Sequence, residues 1–289
     1  MSTIENRYEF VMLFDVENGN PNGDPDAGNA PRIDAETGLG IVTDVCLKRK
    51  IRDFVSVVKG GSEGYDILVK TDRALNDKFA DAYEATGGGK SVKGDDIARA
   101  RQFMCKHYYD VRTFGAVMST GKNPCGIVRG PVQINFARSL DPVLAQELTI
   151  TRQAITDKKK FDEAVDKNGV MTEMGKKNIV PYGLYRAEGY VSALLAAKTG
   201  FSEDDLDLLW QALINMFEHD HSAARGKMCM RKLYVFKHSS ALGNAPSVLL
   251  FDKIAVSKKE GVEYPRSFLD YEVTVDANMP DGVKFIEKL

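Results

Sequence analysis

A chain of 289 residues with 43% hydrophobic content can bury a large core, as one domain with insertions or as two domains. Its 39 basic and 41 acidic residues leave a formal charge of -2, which argues against nucleic-acid binding by bulk charge but leaves room for a local basic groove. Four cysteines, Cys46, Cys105, Cys125 and Cys229, lie far apart without a Cys-x-x-Cys pair, so neither a zinc ribbon nor a disulfide framework is supported and a reducing cytosol fits best.

Met1 to Arg7 has no basic segment followed by an apolar one, and no apolar run approaches the ~18 residues of a membrane span, so a soluble, unexported chain is expected. Residues 8 to 16 are nearly all apolar, with β-branched and aromatic members, and read as a buried central strand. A polar stretch rich in Asn, Gly, Pro and Asp follows from Glu17 to Arg32, longer than a tight turn needs and therefore read as functional. A helix is expected from Thr43 as N-cap, with Asp44 in its first turn and Leu47, Ile51, Phe54, Val55 and Val58 on one face. Lys48, Arg49 and Arg52 fall mostly on the other side. No acid lies between Lys48 and Arg52, so i,i+4 pairing does not explain the cluster, and anion binding stands beside an ordinary solvated face.

Tyr65 to Lys70 reads as a second short strand, and residues 72 to 109 as two helices divided at Gly87 to Gly89 and inserted over the sheet. From Val111 to Phe136 the pattern turns extended and glycine-punctuated, carrying Arg112 and Arg129, with Arg138 just beyond it. Residues 139 to 180 lose periodicity and become polar, as expected of an arm that orders on binding. A strand resumes from Val180 to Ser192. Ser202 to Asp205 then opens a helix with a complete apolar stripe, Leu206, Leu209, Trp210, Leu213, Ile214 and Phe217. Lys232 to His238 and the segments from Val248 to Val275 read as strands. The strong elements give an α+β chain in the ferredoxin-like or RRM-like βαββαβ order, with large insertions.

Asp15, Asp24, Asp26 and Asp34 crowd the first loop, but their spacing does not match a calcium-binding loop, and aspartates in such loops more often shape turns. His107, His219, His221 and His238 form no zinc pair, and no nucleophile elbow, Walker A loop or dinucleotide fingerprint is present. The separated basic clusters on an RRM-like core suit single-stranded RNA held by its phosphates. The aromatic signature with which an RRM stacks bases is absent, so binding is expected to be directed at the backbone and tolerant of sequence.

Phe14-Asp15-Val16-Glu17-Asn18-Gly19-Asn20-Pro21-Asn22-Gly23-Asp24-Pro25, followed by Val42 to Asp53, resembles the backbone subunit of the type I-C CRISPR surveillance complex, Cascade, in the RAMP superfamily. Asp110 to Val117, Gly130 to Gln133 and Val180 to Arg186 extend the resemblance over essentially the whole chain. It implies one RRM-like palm across residues 1 to 289, helical fingers or web at 72 to 109 and a thumb at 139 to 180. It further implies a non-catalytic, cytoplasmic subunit without a cofactor or metal, whose copies stack head to tail in a helical filament along one CRISPR guide RNA. The guide's bases would pair with a target DNA strand in antiviral defence, beside other Cascade subunits and away from any membrane. On this resemblance the guide-binding residues are Asn18, Asn20, Asn22, Lys48, Arg49, Arg52, Arg129, Arg138, Arg152 and Lys176, with Met171 or Met174 as a wedge at the thumb tip. Type III backbone subunits that cleave target RNA with a loop aspartate supply the alternative, with Asp24 and Asp26 as candidates for a metal-dependent endonuclease.

Overall fold

The computed structural model describes residues 2–87, 94–167, 169 and 172–289. In chain order the strand β1 (Tyr8–Gly19) leads into a loop holding the short pair β2 (Gly23–Asp24) and β3 (Ala30–Pro31), then β4 (Leu39–Val42) and helix α1 (Asp44–Lys59). Helices α2 (Leu75–Ala85), α3 (Gly94–His107) and α4 (Tyr109–Phe114) precede the hairpin of β5 (Gly115–Met118) and β6 (Gly126–Arg129). Next come β7 (Val132–Ile134), β8 (Ala137–Pro142), β9 (Gln146–Arg152), α5 (Lys158–Asp166) and the long β10 (Glu173–Val191). The chain continues with α6 (Ala193–Thr199), α7 (Glu203–Asn215), β11 (Lys227–His238), α8 (Ser247–Phe251), β12 (Ile254–Lys258), β13 (Tyr271–Val275) and β14 (Val283–Glu287).

The main sheet runs β14-β11-β1-β10-β8-β4, with β7 also pairing β10. Its centre, β11-β1-β10-β8, is antiparallel throughout, with α1 following β1 and α7 preceding β11. That is the ferredoxin-like order, as the sequence suggested. The second strand of the βαββαβ series is β7 and β8, however, and not Tyr65 to Lys70. Asp66 makes only an isolated bridge to Tyr108, because Leu68 and Val69 donate their amides to the Asp110 carboxylate and not to a neighbouring strand. Tyr109 to Phe114, expected to be extended in part, is helical.

β1 is buried on both faces because strict alternation sends its side chains into two cores. Phe10, Met12, Phe14 and Val16 meet Leu47, Ile51 and Phe54 of α1 and Leu209, Trp210, Leu213 and Phe217 around α7. Phe10 lies edge-on to Trp210 at 5.5 Å, and Phe14 stacks on Tyr185 at 5.5 Å. Gly189, opposite Phe10, is required there: a Cβ at that position would stand 2.1 Å from the phenyl ring. Val11 and Leu13 point the other way, into a cluster with Tyr182, Tyr234, Phe236, Leu250, Phe251 and Tyr271. The C-terminal segment around α8, β12 and β13 therefore covers the sheet face that an RRM would leave open, which accounts physically for the missing base-stacking signature.

A separate core joins Leu68, Phe79, Tyr83, Ala100, Met104, Val111, Met118 and Val128, so α2 to α4 and the β5–β6 hairpin pack as a unit beside the palm. The polar stretch expected to lack periodicity is a hairpin of β9 with the first half of β10, closed through α5. All of β9 is exposed and α5 buries no residue. Among the described residues no helix is long and apolar enough to cross a membrane.

Candidate nucleic-acid interface

Residues 224 to 226 lie against the start of the polar loop. Asn18 adopts a left-handed φ of 50°, and the chain crosses so closely there that a Cβ on Gly19 would stand 1.8 Å from the Arg225 carbonyl oxygen. The Asn20 amide donates to the Ala224 carbonyl at 2.8 Å, and its side chain donates to the Asn29 carbonyl at 2.7 Å. Asn22 Oδ1 accepts from both the N–H and the hydroxyl of Thr43 at 2.9 Å, tying the loop to the residue that caps α1. Asn20 and Asn22 thus use their amides to build the loop, while Asn18 alone of the three is exposed.

The loop aspartates shape turns as expected. Asp24 caps the short helical turn Pro25–Ala27 by accepting from the Asp26 N–H at 3.2 Å, and it faces Arg32 at 3.4 Å. Asp34 accepts from the N–H groups of Glu36 and Thr37 and from Arg138 Nη1 at 2.9 Å, and the Arg138 hydrogen bond holds its carboxyl below the usual range. Asp15 lies apart, buried against Tyr182 and Arg231, and burial pushes its pKa up. No cluster of three His, Cys, Asp or Glu residues suited to a metal occurs among the described residues.

The cations of α1 are more heavily engaged than their sequence spacing suggests. Acids flanking the cluster supply the i,i+4 partners that seemed missing: Lys48 pairs with Asp44 at 2.8 Å and Arg49 with Asp53 at 3.5 Å. Arg52 Nε donates to Asp110 at 2.8 Å, and Lys48 and Arg52 lie over the Phe114 ring at 5.8 and 5.3 Å. The Lys48 and Arg52 side chains are 13% exposed, against 65% for Arg49. Arg49 is therefore the open cation of the three. Val58, assigned to the apolar face, is exposed, and Lys50 is buried instead, paired with Asp220. Asp220 also binds Arg225, so one carboxylate fastens α1 to the segment against the loop. Burial lowers the Lys50 pKa, and this pairing offsets the desolvation of its ammonium.

Arg138 sits on β8 opposite Arg186, with its guanidinium over the loop at Asp34. Arg152 and Lys176 lie on the arm, where they bridge the hairpin to Glu173 and Glu147 respectively. Met174 is 80% exposed on the same hairpin, and Met171 lies outside the described residues. Arg129 stands apart on β6, at a cleft whose lining contains no residue of α1 or of the loop. Asn18 thus lies in the loop, Arg49 on the exposed side of α1 and Arg138 beside Asp34, while Arg152 and Lys176 lie on the arm. The pairing of Asp110 with Arg52 and of Asp220 with the buried Lys50 escaped the sequence reading. Each acid lies far along the chain from its cation, and periodicity carries no signal at that range.

Comparison with known proteins bears on the whole fold. The sequence model of the family described as CRISPR-associated protein Cas7 matches residues 6–276. A CRISPR-associated protein Cas7 of Haloferax volcanii is 30% identical over 236 residues, spanning 74% of this chain and 66% of its own length, a little under two thirds. By structure, a chain solved as "CRISPR RNA-guided surveillance complex, pre-nicking" superposes with a TM-score of 0.51 at 13% identity, covering 80% of this chain and 78% of that one, a likeness of fold alone. With the family match running from the start of β1 to the end of β13, this chain belongs to the CRISPR-associated Cas7 family.

Proposed function

We propose that this chain is a non-catalytic, RNA-binding backbone subunit of a cytoplasmic surveillance complex of the type I-C kind. Its copies stack head to tail along a CRISPR guide RNA and, with other subunits, present the guide to a target DNA strand. The palm is the ferredoxin-like sheet, the fingers the unit around α2 and α3, and the thumb the β9–α5–β10 arm. The observation that carries this reading is the arm itself: a hairpin with an entirely exposed strand and with Ile150 and Met174 open to solvent has little reason to exist without a partner laid against it. Asp24, spent on capping a turn, supports a binding role over cleavage.

The open cations make the test. Arg49→Ala with Lys176→Ala removes two exposed charges whose pairs are worth at most ~1 kcal/mol each, so folding is preserved. Guide affinity is expected to fall and its log-log salt slope to drop by about 1.4, at roughly 0.7 per cation for a single strand. Measured by fluorescence anisotropy across salt, an unchanged affinity and slope would remove this face from the interface. In the same preparation, guide-complementary RNA is expected to stay intact with Mg²⁺ present.

A further inference from the structure

A cleft of about 970 Å³ opens between the fingers core and the α6–α7 side of the palm. Its size lies within the range of small-molecule sites. Five cations line it, of which Arg112 is paired with Asp205 and four, Arg101 and Lys106 of α3, Arg129 of β6 and Lys198 of α6, are exposed and without an ion-pair partner among the described residues. The acids at the cleft do not cancel them. Asp205 is committed to Arg112, which reaches its two oxygens at 2.9 and 2.7 Å, and to the Ser202 N–H at 3.0 Å, leaving Glu63 as the one exposed carboxylate of the lining.

Two further features narrow what this charge is for. Thr199, 7% exposed, is a residue of the cleft wall, and its hydroxyl, itself closed off from solvent, has no hydrogen-bond partner among the described residues. A buried hydroxyl left unpaired is destabilising, and a ligand oxygen that accepted from it would recover that cost. Beside it the lining is apolar: Leu195, and Ile127, whose side chain is 60% exposed. A ligand matching both halves has an anionic end for the guanidinium groups and a flat or aliphatic body for Ile127 and Leu195.

We propose that this cleft binds a nucleoside phosphate, at a site separate from the guide-binding face. The phosphate sits among Arg101, Lys106, Arg129 and Lys198, the Thr199 hydroxyl donates to it once turned outward about its Cα–Cβ bond, and the base and sugar lie against Ile127 and Leu195. α1, the loop and the arm contribute nothing to its lining, so the proposal differs from the guide-RNA reading at one residue, Arg129, which it assigns to this cleft and not to the guide.

The test uses the full chain, with and without guide RNA, and two probes: ATP by calorimetry and a short fluorescent oligothymidylate by anisotropy. Binding of ATP would identify a free nucleotide as the source, and binding of the oligomer alone a nucleotide within a strand. In either case Arg101→Ala with Lys198→Ala is expected to weaken the probe by about tenfold or more, as charge-assisted contacts do. Thr199→Val, which keeps the shape and charge, should weaken it several-fold, while guide affinity stays at the wild-type value in both variants. The proposal is overturned if neither probe binds, if the variants bind as wild type, or if guide affinity falls in the same proportion, since the cleft would then be part of the guide path.

Discussion

Asp110 decides how the α1 face behaves. Its carboxylate is 1% exposed and accepts from Arg52 and from the amides of Leu68 and Val69, so it neutralises a cation and also ends the segment that would otherwise extend as a strand. Asp110→Ala leaves a largely buried guanidinium and two amides without their acceptor. Chemical denaturation should register a loss of roughly 3–5 kcal/mol, and a cost under about 1 kcal/mol would show that the pair is not structural. For the same reason Arg52→Ala reports on folding as well as on binding. Asp34 makes a gentler case, with a carboxyl lowered by the Arg138 hydrogen bond and by two backbone N–H groups. Its stabilising contribution is present above the ordinary aspartate value of about 3.9 and is lost as pH falls through the lower folded value. An NMR titration of the Asp34 carboxyl should show a depressed midpoint that moves back toward the ordinary value in Arg138→Ala; identical midpoints would mean that Arg138 is not its cause.

At the scale of elements, α7 and α1 were legible because their caps and apolar stripes are local: the Ser202–Asp205 capping box and the Thr43 cap form as the sequence suggested. Tyr65 to Lys70 was not, since its strand-like composition meets a carboxylate contributed from Asp110. The polarity of residues 139 to 180 hid the hairpin, because strands exposed on both faces have no reason to alternate, and it hid that residues 139 to 142 belong to β8 of the main sheet. That exposure makes the arm dispensable for stability. Replacing residues 146 to 178 by a short Gly/Ser linker should leave the denaturant midpoint of the palm close to wild type, because burial resumes only at Ile179 and Val180. Guide binding should be lost. A variant that unfolds would place the arm in the core, and one that binds RNA normally would rule it out as a thumb.

Across the whole molecule, near-neutral composition is compatible with the proposed RNA-binding role through spatial separation of the charges. Many cations pair with acids along and between the elements, and Arg49 on α1 and Lys176 on the arm, though each is within reach of an acid, keep most of their side chains in solvent. The ferredoxin-like core was legible from element order, while the C-terminal cover over its second face was not, since its short strands β12 and β13 pair only with each other. With that face closed there is no open sheet for bases to stack upon, and the proposed function puts the RNA over the loop, α1 and the arm instead. The most direct test of this account is the nucleic acid carried by the full chain when it is purified together with a CRISPR transcript. Oligomers holding RNA of one uniform length are the expected result. Oligomers free of nucleic acid, judged by absorbance ratio and extraction, would contradict it and identify the chain as a protein-only scaffold.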